Sequence, residues 1–144
     1  MTKDDIDMNV TAMEPFFVRE VYQHGNINVV MCPATNYWQE KISNVCEKVV
    51  NQYLMDGVYL DQVASAYPKP CYDKSHNHPV GGGHHWYQGY SKMFSEAKEK
   101  IGNNAVIMSE NQNEIYMNNV NIFLTLFGMT YADIPYAQPM ATDS

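Results

Sequence analysis

The chain has 144 residues, of which 45% are hydrophobic, 12% aromatic and 17% charged, a composition typical of one folded core rather than of a disordered chain. Its net charge of -7 and its single arginine, Arg19, argue against nucleic acid as a partner, because phosphate binding needs a basic face. The longest apolar stretch, residues 122–129, is far shorter than the roughly 20 residues of a membrane span, so we expect no membrane partner.

Apolar runs and amphipathic stretches alternate along the chain from residue 27 onward. Short apolar runs predict buried strands at residues 27–31, 58–60, 105–108 and 122–127. Stretches with apolar residues at spacings of three and four predict helices at residues 37–53 and 86–101, and a short helix is expected at 113–119. The strands and helices therefore alternate.

This alternation, with strands that are apolar throughout, is typical of parallel βαβ units buried on both faces, so the predicted fold class is α/β. The glycines at 81–83 lack the spacing of a dinucleotide-binding loop. Since a complete (β/α)8 TIM-type barrel takes about 250 residues, about four parallel βα units predict a partial barrel. We expect an N-terminal segment, partly disordered, at 1–26, the partial barrel at 27–130 and a C-terminal tail at 131–144.

Two acidic residues close consecutive predicted strands. Asp61 follows the run Gly-Val-Tyr-Leu, and Glu110 follows Val-Ile-Met-Ser. Functional groups of parallel α/β folds gather at the C-terminal ends of strands, so both carboxylates are expected at one rim. Paired carboxylates can divide the acid and nucleophile roles of glycosidic bond cleavage, whereas an acid in such a position can also simply cap a helix or turn.

The loop between the second strand and the second long helix is the densest polar segment. Imidazoles and carboxylates can hydrogen-bond sugar hydroxyls, and an aromatic ring can stack on the apolar face of a pyranose. A solvated loop without a role is the alternative. The candidate substrate-binding residues in this loop and beside the two acids are Tyr59, Asp73, His76, His78, His84, His85, Trp86 and Asn111.

The same histidines could instead bind a metal together with Asp61 or Glu110. Their spacing matches no zinc signature, H-E-x-x-H included, so we expect neither a structural metal nor a cofactor. The three cysteines, Cys32, Cys46 and Cys71, are odd in number and form no C-x-x-C pair. This pattern predicts buried thiols rather than disulfides or a zinc knuckle.

Four motifs in chain order carry a resemblance to a known family. They are Asp-Gly-Val-Tyr-Leu-Asp-Gln at 56–62, Cys-Tyr-Asp and His-Asn-His-Pro-Val-Gly-Gly-Gly within 71–83, and Ser-Glu-Asn at 109–111. Over residues 28–125 the chain resembles an uncharacterised glycoside-hydrolase-like barrel family. It is more distantly similar to alpha-amylase-type and endo-alpha-N-acetylgalactosaminidase barrels.

By position, the resemblance implies that Asp61 is the nucleophile and Glu110 the acid/base, with His76, His78 and Trp86 in contact with substrate. Because such a barrel needs further strands, the chain is expected to be a fragment of it. The hypothesis is a catalytic domain that hydrolyses an alpha-linked carbohydrate. The alternatives are a metal-dependent hydrolase built on the histidine-rich loop, and a non-catalytic carbohydrate-binding or assembly module.

The expected partners are a carbohydrate substrate and, through unpaired strand edges, a second copy or the missing part of the barrel. The acidic residues 1–8 lack the basic and apolar regions of a signal peptide. A cytoplasmic location is therefore expected if the sequence is complete.

Overall fold

The computed structural model describes the backbone of residues 12–13, 16–17, 19–21 and 27–124 and the side chains of residues 28–124. The two α-helices are α1 (Asn36–Glu47) and α2 (His85–Ile101). The strands are β1 (Ala12–Met13), β2 (Phe16–Phe17), β3 (Arg19–Val21), β4 (Ile27–Val29), β5 (Gly57–Leu60), β6 (Val106–Glu110) and β7 (Ile122–Leu124).

Three of these strands form a parallel sheet in the order β5-β6-β7. Tyr59 pairs with Met108, which in turn pairs with Ile122. Since α2 connects β5 to β6, these elements make the parallel βαβ unit that the sequence predicts, and the α/β class is confirmed. About four parallel strands are expected from the sequence, and the described residues contain three.

The first predicted strand forms but takes a different partner. β4 pairs antiparallel with β3, so that Arg19 lies opposite Val29, and neither strand belongs to the parallel sheet. The prediction that this run opens a parallel unit is therefore wrong, because an apolar run does not specify the direction of its partner strand. The predicted tail at 131–144 lies outside the described residues.

Both helices are amphipathic and pack against each other. α1 continues into one π-helical turn, Lys48–Gln52. α2 ends at Ile101, and the next residue, Gly102, has a left-handed backbone conformation with φ 76°. At the contact a Cβ on Gly89 would lie 2.4 Å from the carbonyl carbon of Pro33, so only glycine allows this approach. No helix in the described ranges is long and apolar enough to cross a bilayer.

The two faces of the parallel sheet differ in burial. Met93 and Phe94 of α2 are fully buried in one core cluster with Ile107 of β6. On the other face, in the described part of the chain, Tyr59, Ile122 and Leu124 are 41%, 47% and 42% exposed. Parallel sheets are normally covered on both faces, so the exposure of the second face is unusual.

Candidate active site and a thiol–imidazole cluster

Asp61 and Glu110 lie at the C-terminal ends of neighbouring parallel strands. Leu60 pairs with Ser109, so the register continued by one residue aligns Asp61 with Glu110. Residues aligned in this way present their side chains to the same face of a sheet. That face is the exposed one, which also carries Tyr59. We call this region the carboxylate edge.

The carboxylate edge has polar contacts of its own. Tyr59 donates a hydrogen bond from its hydroxyl to Asp61 Oδ1 at 3.4 Å, and the Ser65 hydroxyl donates to Glu110 Oε2 at 3.5 Å. Desolvation raises the pKa of the Tyr59 hydroxyl, and the negative charges of Glu110 and Asp61 raise it further. Both carboxylates therefore act on the same hydroxyl group.

The residue after each acid has an unusual backbone conformation. Gln62, which follows Asp61, has φ 62°, and Asn111, which follows Glu110, has φ 57°. A positive φ is uncommon for residues other than glycine, and such strain is concentrated at functional sites. The Asn111 N–H donates to Leu124 O at 2.8 Å, which holds the turn after β6 against β7.

A buried serine fastens the loop after Asp61 to the end of β6. Ser109 donates from its hydroxyl to Leu60 O at 2.7 Å and accepts from the Ala64 N–H at 3.2 Å. Asn113 adds a side-chain hydrogen bond to Ala64 O at 3.2 Å. Because these bonds join the ends of both strands, they restrict how far the two carboxylates can separate.

The histidine-rich loop brings two of its histidines together with two cysteines. Ligand atoms of Cys32, Cys71, His76 and His78 all lie within 4.8 Å of one another, and we call this group the thiol–imidazole cluster. The Cys32 Sγ lies 3.4 Å from His78 Nε2, and the Cys71 Sγ lies 3.3 Å from His76 Nδ1. No other group of three or more potential ligands occurs in the described ranges. The sequence analysis had grouped these histidines with the strand-end acids instead.

Two further side chains surround the cluster. Asp73 Oδ2 lies 3.8 Å from His76 Nε2, and its Oδ1 accepts hydrogen bonds from the Ser75 N–H and hydroxyl at 2.8 and 2.6 Å. Desolvation pulls the pKa of Asp73 upward, but these bonds and the nearby His76 and His78 hold it below its ordinary value. His85 stacks on His78 with ring centroids 4.2 Å apart, and burial lowers the pKa of His85.

Three predicted substrate contacts are buried. Trp86 is 4% exposed and meets Tyr90 edge-on at 5.3 Å, while His76 and His85 are 8% and 5% exposed. The apolar stripe of α2 determines the position of Trp86, which lies in the core cluster. His84 is exposed and meets Tyr87 edge-on at 5.2 Å.

The three cysteines are buried thiols, as predicted. Two of them, Cys32 and Cys71, are functional candidates that the sequence does not predict. Cys71 gives a local signal, since it precedes His76 in the same loop. Cys32 gives none, because it belongs to a distant segment and only the tertiary fold brings it to the loop.

Comparisons with known proteins found one matching family model and two relatives with similar names. A family model described as "Domain of unknown function (DUF6259)" matches residues 8–139. A Monosiga brevicollis protein named "Putative glycoside hydrolase 22789" is 33% identical over 115 residues, which cover 80% of this chain and 10% of that protein. A Bacteroides thetaiotaomicron protein named "Putative glycoside hydrolase" is 31% identical over 110 residues, which cover 76% of this chain and 16% of that protein. By the extent of the family match, the chain belongs to the DUF6259 domain family.

Proposed function

We propose that this chain is part of the catalytic domain of a glycoside hydrolase that cleaves an alpha-linked carbohydrate. The observation that carries the proposal is the register of β5 and β6, which aligns Asp61 with Glu110 on one exposed sheet face. The names of the two relatives support the same class of reaction. The chain spans only 10% and 16% of the length of those relatives. The substrate class and the alpha linkage are therefore proposed as well.

In the proposed retaining mechanism, Glu110 donates a proton to the leaving glycosidic oxygen while Asp61 attacks the anomeric carbon. The carbon–oxygen bond to the leaving group breaks as the bond to Asp61 forms. Glu110 then takes a proton from water, which attacks the same carbon and releases Asp61 as a carboxylate. Tyr59 hydrogen-bonds Asp61 and would orient the nucleophile.

The apolar character of the same face supports a larger barrel. Tyr59, Val106, Ile122 and Leu124 are exposed hydrophobic residues of the three parallel strands. In a closed TIM-type barrel, side chains on the inner side of such strands pack in layers. We propose that further strands of a (β/α)8 barrel close over this face and that the acids then lie at its C-terminal rim.

The test is turnover by the longest natural polypeptide that carries this chain. Asp61→Asn should abolish hydrolysis of every substrate, since the covalent intermediate cannot form. Glu110→Gln should lower the rate by about 10²- to 10⁴-fold on glycosides with poor leaving groups. It should spare the first step on aryl glycosides, which need little protonation. Glu114→Gln, an exposed acid in the short helix Glu114–Tyr116, is the matched control.

Two results would contradict the proposal. If Asp61→Asn kept the wild-type turnover rate, Asp61 could not be the nucleophile. Sugar binding without turnover, unchanged in Asp61→Asn and Glu110→Gln, would instead favour a non-catalytic carbohydrate-binding module.

A further inference from the structure

We propose that Cys32, Cys71, His76 and His78 bind one Zn²⁺ ion as a structural site. This inference goes beyond the proposed hydrolase function and does not rest on it. It also reverses the sequence-based expectation of no structural metal, which considered only the spacing of the histidines.

Two distances between ligand atoms match those around a tetrahedral zinc ion. With Zn–S of about 2.3 Å and Zn–N of about 2.0–2.1 Å, neighbouring ligand atoms lie about 3.3–3.8 Å apart. The two sulfur–nitrogen distances in the cluster are 3.4 Å for Cys32 to His78 and 3.3 Å for Cys71 to His76. All four ligand atoms also lie within 4.8 Å of one another, so that a small movement of the side chains would bring them to the spacing of zinc ligands.

The second nitrogen of each imidazole faces an oxygen atom, as is usual for metal-bound histidines. His78 Nδ1 lies 2.8 Å from Pro79 O and can donate to it, which leaves the lone pair of Nε2 for the ion. His76 Nε2 lies 3.8 Å from the Asp73 carboxylate, which leaves Nδ1 for the ion. His78 therefore presents Nε2 to Cys32, and His76 presents Nδ1 to Cys71.

The donor set identifies the metal and its role. Two thiolates and two imidazoles in a tetrahedral arrangement select zinc, and two thiolates neutralise a divalent ion. Cys32 and Cys71 are completely buried, and His76 is 8% exposed. Because four protein ligands fill the tetrahedron, no position is left for water or substrate. The site therefore stabilises structure and does not carry out hydrolysis.

The ion would join two distant parts of the chain. Cys32 precedes α1, and its carbonyl accepts hydrogen bonds from the N–H and the hydroxyl of Thr35 at 3.2 and 2.9 Å. The other three ligands lie in the loop after Asp61, where Cys71 O accepts from the Gly81 N–H at 2.7 Å. Zinc binding would thus fix the loop that begins at the carboxylate edge.

The first test is the zinc content of the full chain purified without a metal-affinity step. We expect about one zinc per chain, lost in Cys71→Ser and in His78→Ala. The matched controls are Cys46→Ala, a buried cysteine outside the cluster, and His84→Ala, an exposed histidine of the same loop. Both controls should keep the ion. Equal zinc in wild type and both ligand variants, or equal loss in the controls, would overturn the site.

The second test does not depend on the folding of any variant. X-ray absorption at the zinc edge of the wild-type protein should show two sulfur atoms at about 2.3 Å and two nitrogen atoms at about 2.0–2.1 Å. A shell of nitrogen and oxygen atoms only would overturn the proposal. Metal-free protein with a Cys32–Cys71 disulfide, identified by mass spectrometry without reduction, would overturn it as well.

Discussion

The carboxylate edge and the thiol–imidazole cluster lie on the same stretch of chain but differ in burial. Asp61 is exposed at the end of a strand, and Glu110 is partly exposed beside it. Cys32 and Cys71 are completely buried. Groups that act on a ligand must remain accessible, whereas buried polar groups must satisfy one another. The comparison separates a region suited to chemistry from a region suited to holding the loop.

The loop after β5 is held at two points. Near Asp61, Ser109 and Asn113 hydrogen-bond the backbone of residues 60 and 64. Further along, the thiol–imidazole cluster joins the loop to the segment before α1. If the two regions are independent, damage to one attachment should leave the other intact, and the following predictions test that separation.

The largest effect is expected from Gly89→Ala, which acts on the cluster side. The new Cβ would meet Pro33 C and O at 2.4 Å and Ala34 N at 2.8 Å, and these are backbone atoms next to Cys32. We expect a loss of about 1–3 kcal/mol or more in the free energy of unfolding, because such overpacking cannot be relieved by a side chain. Denaturant unfolding measures this loss, and zinc content should fall with it.

Gly82→Ala is the matched control for that substitution. Nothing lies within 4 Å of the Cβ position at Gly82, and its φ is not in the left-handed region. Its free energy of unfolding should stay within about 0.5 kcal/mol of wild type, as for most surface substitutions. Equal destabilisation by both alanines would show that the contact of α2 with Pro33 is not what positions the cluster.

Ser109→Ala tests the attachment on the carboxylate side. The substitution leaves the buried N–H of Ala64 and the carbonyl of Leu60 without their hydroxyl partner, at a cost of about 1–3 kcal/mol. Turnover should fall because the two acids lose their common restraint, while zinc content should not change. Ser65→Ala, whose hydroxyl lies nearer the surface, should have a smaller effect on stability. Zinc loss in Ser109→Ala would contradict the independence of the two regions.

Much of the fold could be predicted from periodicity alone. The stripe over residues 86–101 predicts α2 to within one residue, and the apolar runs predict β5 and β6 closely. The partner of β4 could not be predicted, because hydrogen-bond pairing is decided by distant segments and leaves no local pattern. The left-handed conformations of Gln62 and Asn111 were also unpredictable, since neither residue is glycine.

The candidate site also has one part that the sequence predicts and one part that it does not. The alignment of Asp61 with Glu110 follows from two strand predictions and the parallel sense of the sheet. The cluster does not follow from any spacing, because Cys32 comes from a distant segment of the chain. Trp86 fits two predictions at once: it begins the apolar stripe of α2, where it is 4% exposed, and it borders the polar loop, which indicates a contact with sugar.

The exposed face of the parallel sheet yields a third prediction, on association. Leu124 is 42% exposed at the edge strand β7, whereas Leu54 is 82% exposed outside the sheet. If the sheet face is an unsatisfied interface, the isolated chain should self-associate, and Leu124→Lys should weaken association at least about tenfold, or about 1.4 kcal/mol. Leu54→Lys should not. Light scattering after size-exclusion chromatography measures both, and a monomeric wild-type chain would contradict the prediction.

The last prediction concerns pH and two ionisable groups of the core cluster. Burial raises the pKa of Cys46 to about 11 and of Tyr116 to about 12, from ordinary values of 9.0 and 10.0. Both groups are neutral when protonated, so the folded state resists their ionisation more than the unfolded state does. Their contribution to stability is complete below pH 9 and is lost as pH rises from about 9 to about 12.

Tyr116→Phe should therefore flatten the alkaline decline in the free energy of unfolding, most clearly above pH 10, with Cys46→Ala acting from about pH 9. Denaturant titrations between pH 7 and 11 measure both slopes. Identical slopes in wild type and the two variants would show that neither buried group contributes to alkaline destabilisation.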